Sequence, residues 1–181
     1  MNLHDAKSLA LEHIAIHCPE YSFKWLRSNI CFGKCYYRRQ VIALSQPLVA
    51  ANEVSQVLDT ILHEIAHALT PGHQHDDVWK EKCKELGCKP EACFTFGKGV
   101  AAPPKKYVAV CDCCKKAFYK QVFNLTEVNR YYICPSDKTR LSFQNNPAYG
   151  KFQRKMKQAE PGKQISQSDM NLLMNLFGKG N

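Results

Sequence analysis

The chain has no run of about 18 apolar residues, so it holds no segment able to cross a bilayer as a helix. It also lacks the short apolar core of an export signal, and a secreted protein is not expected. Acidic residues are sparse in one region only. Residues 1–100 carry 11 Lys/Arg against 11 Asp/Glu, residues 101–163 carry 13 against 4, and residues 164–181 carry one of each, so the net charge of +9 lies entirely within 101–163. Cysteine is abundant, at 10 residues; without an export signal these read as reduced thiols and metal ligands rather than disulfides. The expected compartment is the cytoplasm, including the nucleoid, with no membrane partner. At 181 residues the chain can bury a proper core, as one domain or one domain with an appendage.

The stretch LHEIAHALTPGHQHDDVW, residues 62–79, places His63, Glu64 and His67 in an HExxH arrangement and follows them with His73 and His75. On a helix His63 and His67 are one turn apart, so both imidazoles can reach one Zn²⁺, while Glu64 is placed to act on a water at the metal. Val54, Leu58, Ile61, Leu62, Ile65 and Leu69 recur at helical spacing and define an apolar face; the two histidines fall on the opposite side, which predicts that they look into a cleft. Pro71 and Gly72 end the helix. A catalytic zinc site takes three protein ligands and keeps one position open, so a third ligand is needed. Two candidates follow the turn. His73 has the metzincin spacing, although Thr70 stands where that motif requires glycine. His75 precedes Asp76, Asp77 and Val78, the expected cap and first turn of a helix running to about Leu86 and stopping at Gly87.

HEIAHALTPG followed by HDDVWKEKCKELG resembles the SprT-like metalloproteases, the bacterial SprT-like proteins and relatives of Spartan. By that resemblance His75 is the third ligand and Trp79 matches the family's tryptophan, while Asp76 and Asp77 depart from the commoner Gly-Pro. His73 is left to the loop or to a supporting position.

Residues 1–17 read as an amphipathic helix with Leu3, Ala6, Ala10 and Ile14 inward and with His4, His13 and His17 at the surface. Segments 23–25, 30–37 and 40–44 read as strands, the last two joined by a basic turn at Arg38 and Arg39. In zincin-type proteases an edge strand beside the HExxH helix pairs with extended substrate, and one of these strands is the candidate. Cys31, Cys35, Cys83, Cys88 and Cys93 read as packing residues.

GKGVAAPPKK, residues 97–106, has the composition of a linker. Beyond it Cys111 and Cys114 form the first knuckle of a zinc-ribbon pattern, and Cys134 opens a second whose next ligand position holds Asp137. The fourth ligand is open between Asp137 and Cys113, and a metal-free packed hairpin is the remaining alternative. Lys105, Lys106, Lys115, Lys116, Lys120 and Arg130, interleaved with Tyr107, Phe118, Tyr119, Tyr131 and Tyr132, are candidate nucleic-acid contacts. The same charges read equally as a solvated surface, and resemblance to DNA-associated Spartan turns the balance toward DNA.

The expectation is thus an α+β, zincin-like catalytic domain at 1–100, with the HExxH helix on a small sheet. A zinc-ribbon-like β module follows at 101–143, then a basic flexible tail at 144–181 with a short terminal helix capped by Ser168. The function implied is a zinc-dependent endopeptidase with Glu64 as proton carrier, acting on proteins near or crosslinked to DNA. The alternative is a zinc-containing nucleic-acid-binding or regulatory adaptor without peptidase activity.

Overall fold

The computed structural model describes residues 1–91, 99–121 and 124–158. The architecture is α+β, with small sheets and helices arranged in two units, Met1–Ala102 and Pro103–Lys157. Among the described residues no helix is long and apolar enough to cross a membrane.

In the first unit, helix α1 (Leu3–His17) buries Ala6, Leu9, Ala10 and Ile14, and the Asn2 side chain caps it by accepting from Asp5 N–H at 2.9 Å. His4 is exposed, as expected. His13 and His17 are half-buried instead and stack on one another, and burial lowers the pKa of His13. Strands β1 (Ser22–Leu26), β2 (Gly33–Tyr36) and β3 (Val41–Ser45) form a sheet in the order β1-β3-β2. β1 runs parallel to β3, and β2 runs antiparallel to it through the basic 3₁₀ turn Tyr37–Arg39 and a left-handed Gln40. All five β3 residues are buried because it is the central strand, flanked on both sides. β2 is shorter than the sequence suggested. Ile30 is 79 % exposed and lies outside the strand, while Phe32 turns into the core.

Ser45 ends β3 and caps the next helix, α2 (Gln46–Ala51), by accepting from Leu48 N–H at 3.1 Å, with Pro47 in the first turn. Helix α3 (Val54–Leu69) carries the HExxH residues. Its inward face includes Val57, Leu58, Ile61, Leu62 and Ile65; fully burying such side chains contributes about 1.5–3 kcal/mol each. α3 packs on α1, β2, β3 and the following helix α4 (Asp77–Leu86), so burial spreads round its last turns. Leu69, expected in the core, is 37 % exposed at the helix end. Thr70 closes α3 with its hydroxyl donating to Ala66 C=O at 2.7 Å, and Gly72, at φ +91°, allows the reversal after Pro71. α4 begins at its cap Asp76 and stops at left-handed Gly87, with Trp79 and Cys83 buried and Leu86 partly so.

The second unit contains β4 (Tyr107–Val110), β5 (Ala117–Lys120), α5 (Leu125–Tyr131), β6 (Gln144–Asn145) and α6 (Pro147–Gln158). Its antiparallel sheet has the order β5-β4-β6 around a core of Tyr107, Ala109, Val128, Leu141 and Phe143. Two expectations are corrected. Residues 144–158, read as the start of a flexible tail, pair with β4 and continue as a helix. Asn146 fixes this junction: its side chain donates to Lys105 C=O at 2.8 Å and accepts from Ala148 N–H at 3.0 Å. Tyr107, offered as a stacking residue, is core at 6 % exposure. The terminal helix expected after Ser168, and Cys93, lie outside the described residues.

Candidate metal centre

Two turns of α3 and the loop after it converge on one point. His63, His67 and His75 each offer a ring nitrogen, and these atoms lie within 4.8 Å of one another; His67 Nε2 and His75 Nε2 are 3.1 Å apart. A tetrahedral ion held at about 2.0–2.1 Å needs ligand nitrogens about 3.3 Å apart, so the set fits a metal with only side-chain adjustment. Burial, and then the neighbouring imidazoles, lower the pKa of His63 to about 3 and of His67 to about 4. Both rings therefore stay neutral, with lone pairs free to ligate.

His75 reaches the cluster because its backbone is left-handed, at φ 58°, an uncommon conformation for a residue with a side chain. His73 does not join it. Its Nδ1 lies 2.7 Å from Asp76 Oδ2, while Asp76 Oδ1 accepts from Trp79 N–H at 3.1 Å, so Asp76 anchors the loop and caps α4 together. Trp79 is fully buried against all three histidines, with ring centroids 4.5–5.1 Å away.

Glu64 is 6 % exposed. Burial raises its pKa to about 8, against the opposing backbone N–H of Cys35 and the charge of Lys34. His67, on the opposite wheel face to the core residues, is nonetheless only 9 % exposed. The apolar periodicity located one buried face of α3, and β2 and α4 supply the cover on the other. The residues still line an open cleft of about 890 Å³ bordered by Gly33, Lys34 and Tyr37. Two of these neighbours were not singled out from the sequence. Tyr37 OH lies 3.3 Å from His67 Nδ1, within hydrogen-bond reach of the ring nitrogen that faces away from the cluster. Gly33 lies directly against Glu64. A glycine on a strand and a tyrosine at the turn that follows it carry no sequence signal for such roles.

The second unit brings Cys111, Cys114, Cys134 and Asp137 together within the same 4.8 Å limit. Cys111 Sγ–H donates to Asp137 Oδ2 at 3.1 Å, and Cys114 Sγ lies 3.6 Å from Cys134 Sγ. The two knuckles share one backbone frame. Cys111 accepts from Lys115 N–H at 2.9 Å and donates to Lys116 C=O at 3.0 Å; Cys134 accepts from Lys138 N–H at 2.9 Å and donates to Thr139 C=O at 2.7 Å. Lys115 and Lys138 are both left-handed, at φ 57° and 63°. Asp137 thus stands where Cys114 stands in its own knuckle, and hydrogen bonds from Thr139 hold its carboxyl well below the usual range. Cys113 is exposed and outside the cluster. Lys105, Lys115, Lys116 and Arg130 are exposed; Lys106 and Lys120 are half-buried, with Lys120 Nζ 4.0 Å over the Tyr132 ring.

Fold and site together define an α+β protein with two groups of residues able to hold metal ions. A model of the SprT-like family matches residues 4–98, more than half of the chain, and the chain belongs to that family. No curated protein and no solved structure matches it.

Proposed function

We propose that the chain is a zinc-dependent endopeptidase with a zincin-like catalytic unit. The observation that carries this reading is Glu64, a carboxylate buried beside three convergent imidazoles yet bordering an open cleft. Membership of a family known for metalloproteases supports it. His63, His67 and His75 would hold the ion, which when bound supplies Lewis acidity toward a water and a peptide carbonyl. Glu64, buried beside the three imidazoles, would take the proton from the attacking water and deliver it to the leaving amine. Of the two edge strands, β2 borders the cleft and is the natural partner for an extended substrate backbone. An adaptor with a purely structural ion has no use for a carboxylate buried at that position.

The substrates proposed are proteins on or crosslinked to DNA, in the cytoplasm or nucleoid, with the second unit as the DNA-binding part. The charge excess of residues 101–163 and the exposed Tyr119 and Tyr131, at 54 % and 71 %, support this. The second cysteine cluster would hold a structural zinc.

The test is metal analysis of the full chain with casein cleavage in the presence and absence of single-stranded DNA. Zinc at His63, His67 and His75, with cleavage abolished by chelator, is expected. DNA binding should weaken with salt at a slope near −0.7 per contact on single strands and vanish on truncation near residue 102. Undiminished DNA affinity in the truncated protein would reassign the basic region to a solvated surface.

A further inference from the structure

The edge strand beside α3 carries a glycine whose backbone does not require one. Gly33 is absent from the left-handed region that Gly72, Gly87 and Gly99 occupy, so any residue could adopt its backbone conformation. Space is what excludes a side chain. A Cβ built on Gly33 would lie 2.6 Å from Glu64 Oε1, 2.7 Å from Glu64 Cγ and 2.8 Å from Thr60 Cγ2, all closer than real Cβ contacts. Two of the three atoms belong to Glu64, which is only 6 % exposed. Two residues along the strand, the Cys35 backbone N–H acts on the same carboxylate, opposing the effect of burial on its pKa.

We propose that Gly33 is a positioning residue for Glu64: its bare Cα forms the wall of the carboxylate pocket, and with the Cys35 N–H it sets where the carboxylate stands relative to the histidines. This rests on the reading of Glu64 as the proton carrier. A methyl group at position 33 leaves two ways to relieve the overlap. Either the Glu64 side chain moves, or β2 backs away from α3 and takes the Cys35 N–H with it. Both displace the carboxylate, while His63, His67 and His75 keep their own anchors on α3, Asp76 and Trp79. Displacements of about 1 Å in a catalytic group cost on the order of 100-fold in rate.

The test is Gly33→Ala in the full chain, with three readouts. Against fluorescently labelled casein, kcat should fall about 100-fold with KM within a factor of about three. Zinc affinity at the histidine site, read by competition with a chromophoric chelator, should be unchanged. The third readout needs no activity: a thermal-stability cycle at fixed zinc concentration. Gly33→Ala should lower the melting temperature by about 5 °C or more in the parent chain and by much less in a Glu64→Ala background, where the added methyl enters vacated space.

A wild-type kcat in Gly33→Ala overturns the proposal. So does an equal loss of stability in both backgrounds, which would leave Gly33 a spacer against Thr60. Loss of zinc in parallel with activity also overturns it, as the role would then be structural. If the parent chain cleaves no protein at all, the peptidase reading fails, and the cycle alone still decides whether Gly33 shapes the Glu64 pocket.

Discussion

Trp79 lies against His67 with ring planes 26° apart and centroids 5.1 Å apart, and it meets His63 and His75 edge-on. One indole from α4 therefore backs all three candidate ligands, filling the space that water would otherwise use to solvate an imidazolium. It couples the packing of α4 to the neutrality of the site.

Replacing Trp79 by alanine should therefore act twice. Loss of a fully buried indole costs about 3–5 kcal/mol of stability. Water admitted behind the rings should also raise the pKa values of His63 and His67 toward 6.5, making metal binding fail at higher pH than in the parent. Isothermal metal titrations between pH 5.5 and 7.5 check the second effect, and Trp79→Phe should show it least.

Glu64→Gln should keep the fold and the metal while reducing cleavage by roughly 10²–10⁴-fold, the usual contribution of a proton-transfer group. The same change should stabilise the metal-free protein near neutral pH. Glu64 titrates at about 8 in the folded chain against 4.5 unfolded, so the unfolded state ionises first and the folded state carries a penalty that grows from pH 4.5 to about 8. Gln cannot ionise. Its advantage, on the order of a few kcal/mol, should therefore be present at pH 8 and absent at pH 4 when both proteins are melted with chelator.

His75→Asn should remove or greatly weaken metal at the histidine site. Asparagine tolerates the left-handed backbone that His75 adopts, so the loop is retained and only the imidazole is lost. His73→Ala should leave metal content intact and cost no more than about 1 kcal/mol, because it deletes an exposed contact with Asp76. Metal analysis showing the opposite order would assign the third ligand to His73.

In the second unit, Cys113→Ser should leave metal content unchanged, whereas Asp137→Ala should reduce it. Asp137→Cys should tighten zinc, since the backbone frame at Asp137 already matches that of Cys114. Titration of the full chain with a chromophoric chelator, comparing the four proteins, reads all three effects.

Much of the first unit was legible because its signals are local. Asp76 as a cap, Gly87 as a stop and the 3.6-residue recurrence of Val54, Leu58, Ile61 and Ile65 mark α3 and α4, and HExxH stands within one helix. The burial of His67 was not legible, because β2 and α4 cover that face from elsewhere in the chain. Gly33 carries no local signal in a strand of Phe, Cys and Tyr; its meaning depends on a glutamate 31 positions later. In the second unit the polar, glycine-containing run from Gln144 onward has the composition of a tail. Its order comes from pairing with β4 and from Asn146 reaching Lys105, neither of which a local window contains.

The mixed sheet has a kinetic consequence. Four residues separate β2 from β3, whereas 14 separate β1 from the β3 edge it joins in parallel. Closing the longer loop costs about 1 kcal/mol more chain entropy, so the β2–β3 hairpin, with Gly33 and Cys35 already in register, is the earlier structure and β1 the later arrival. Substitutions in the Tyr37–Gln40 turn should slow folding, and substitutions in β1 should chiefly speed unfolding. The strand that shapes the Glu64 pocket is thus assembled before the sheet has closed on its other side.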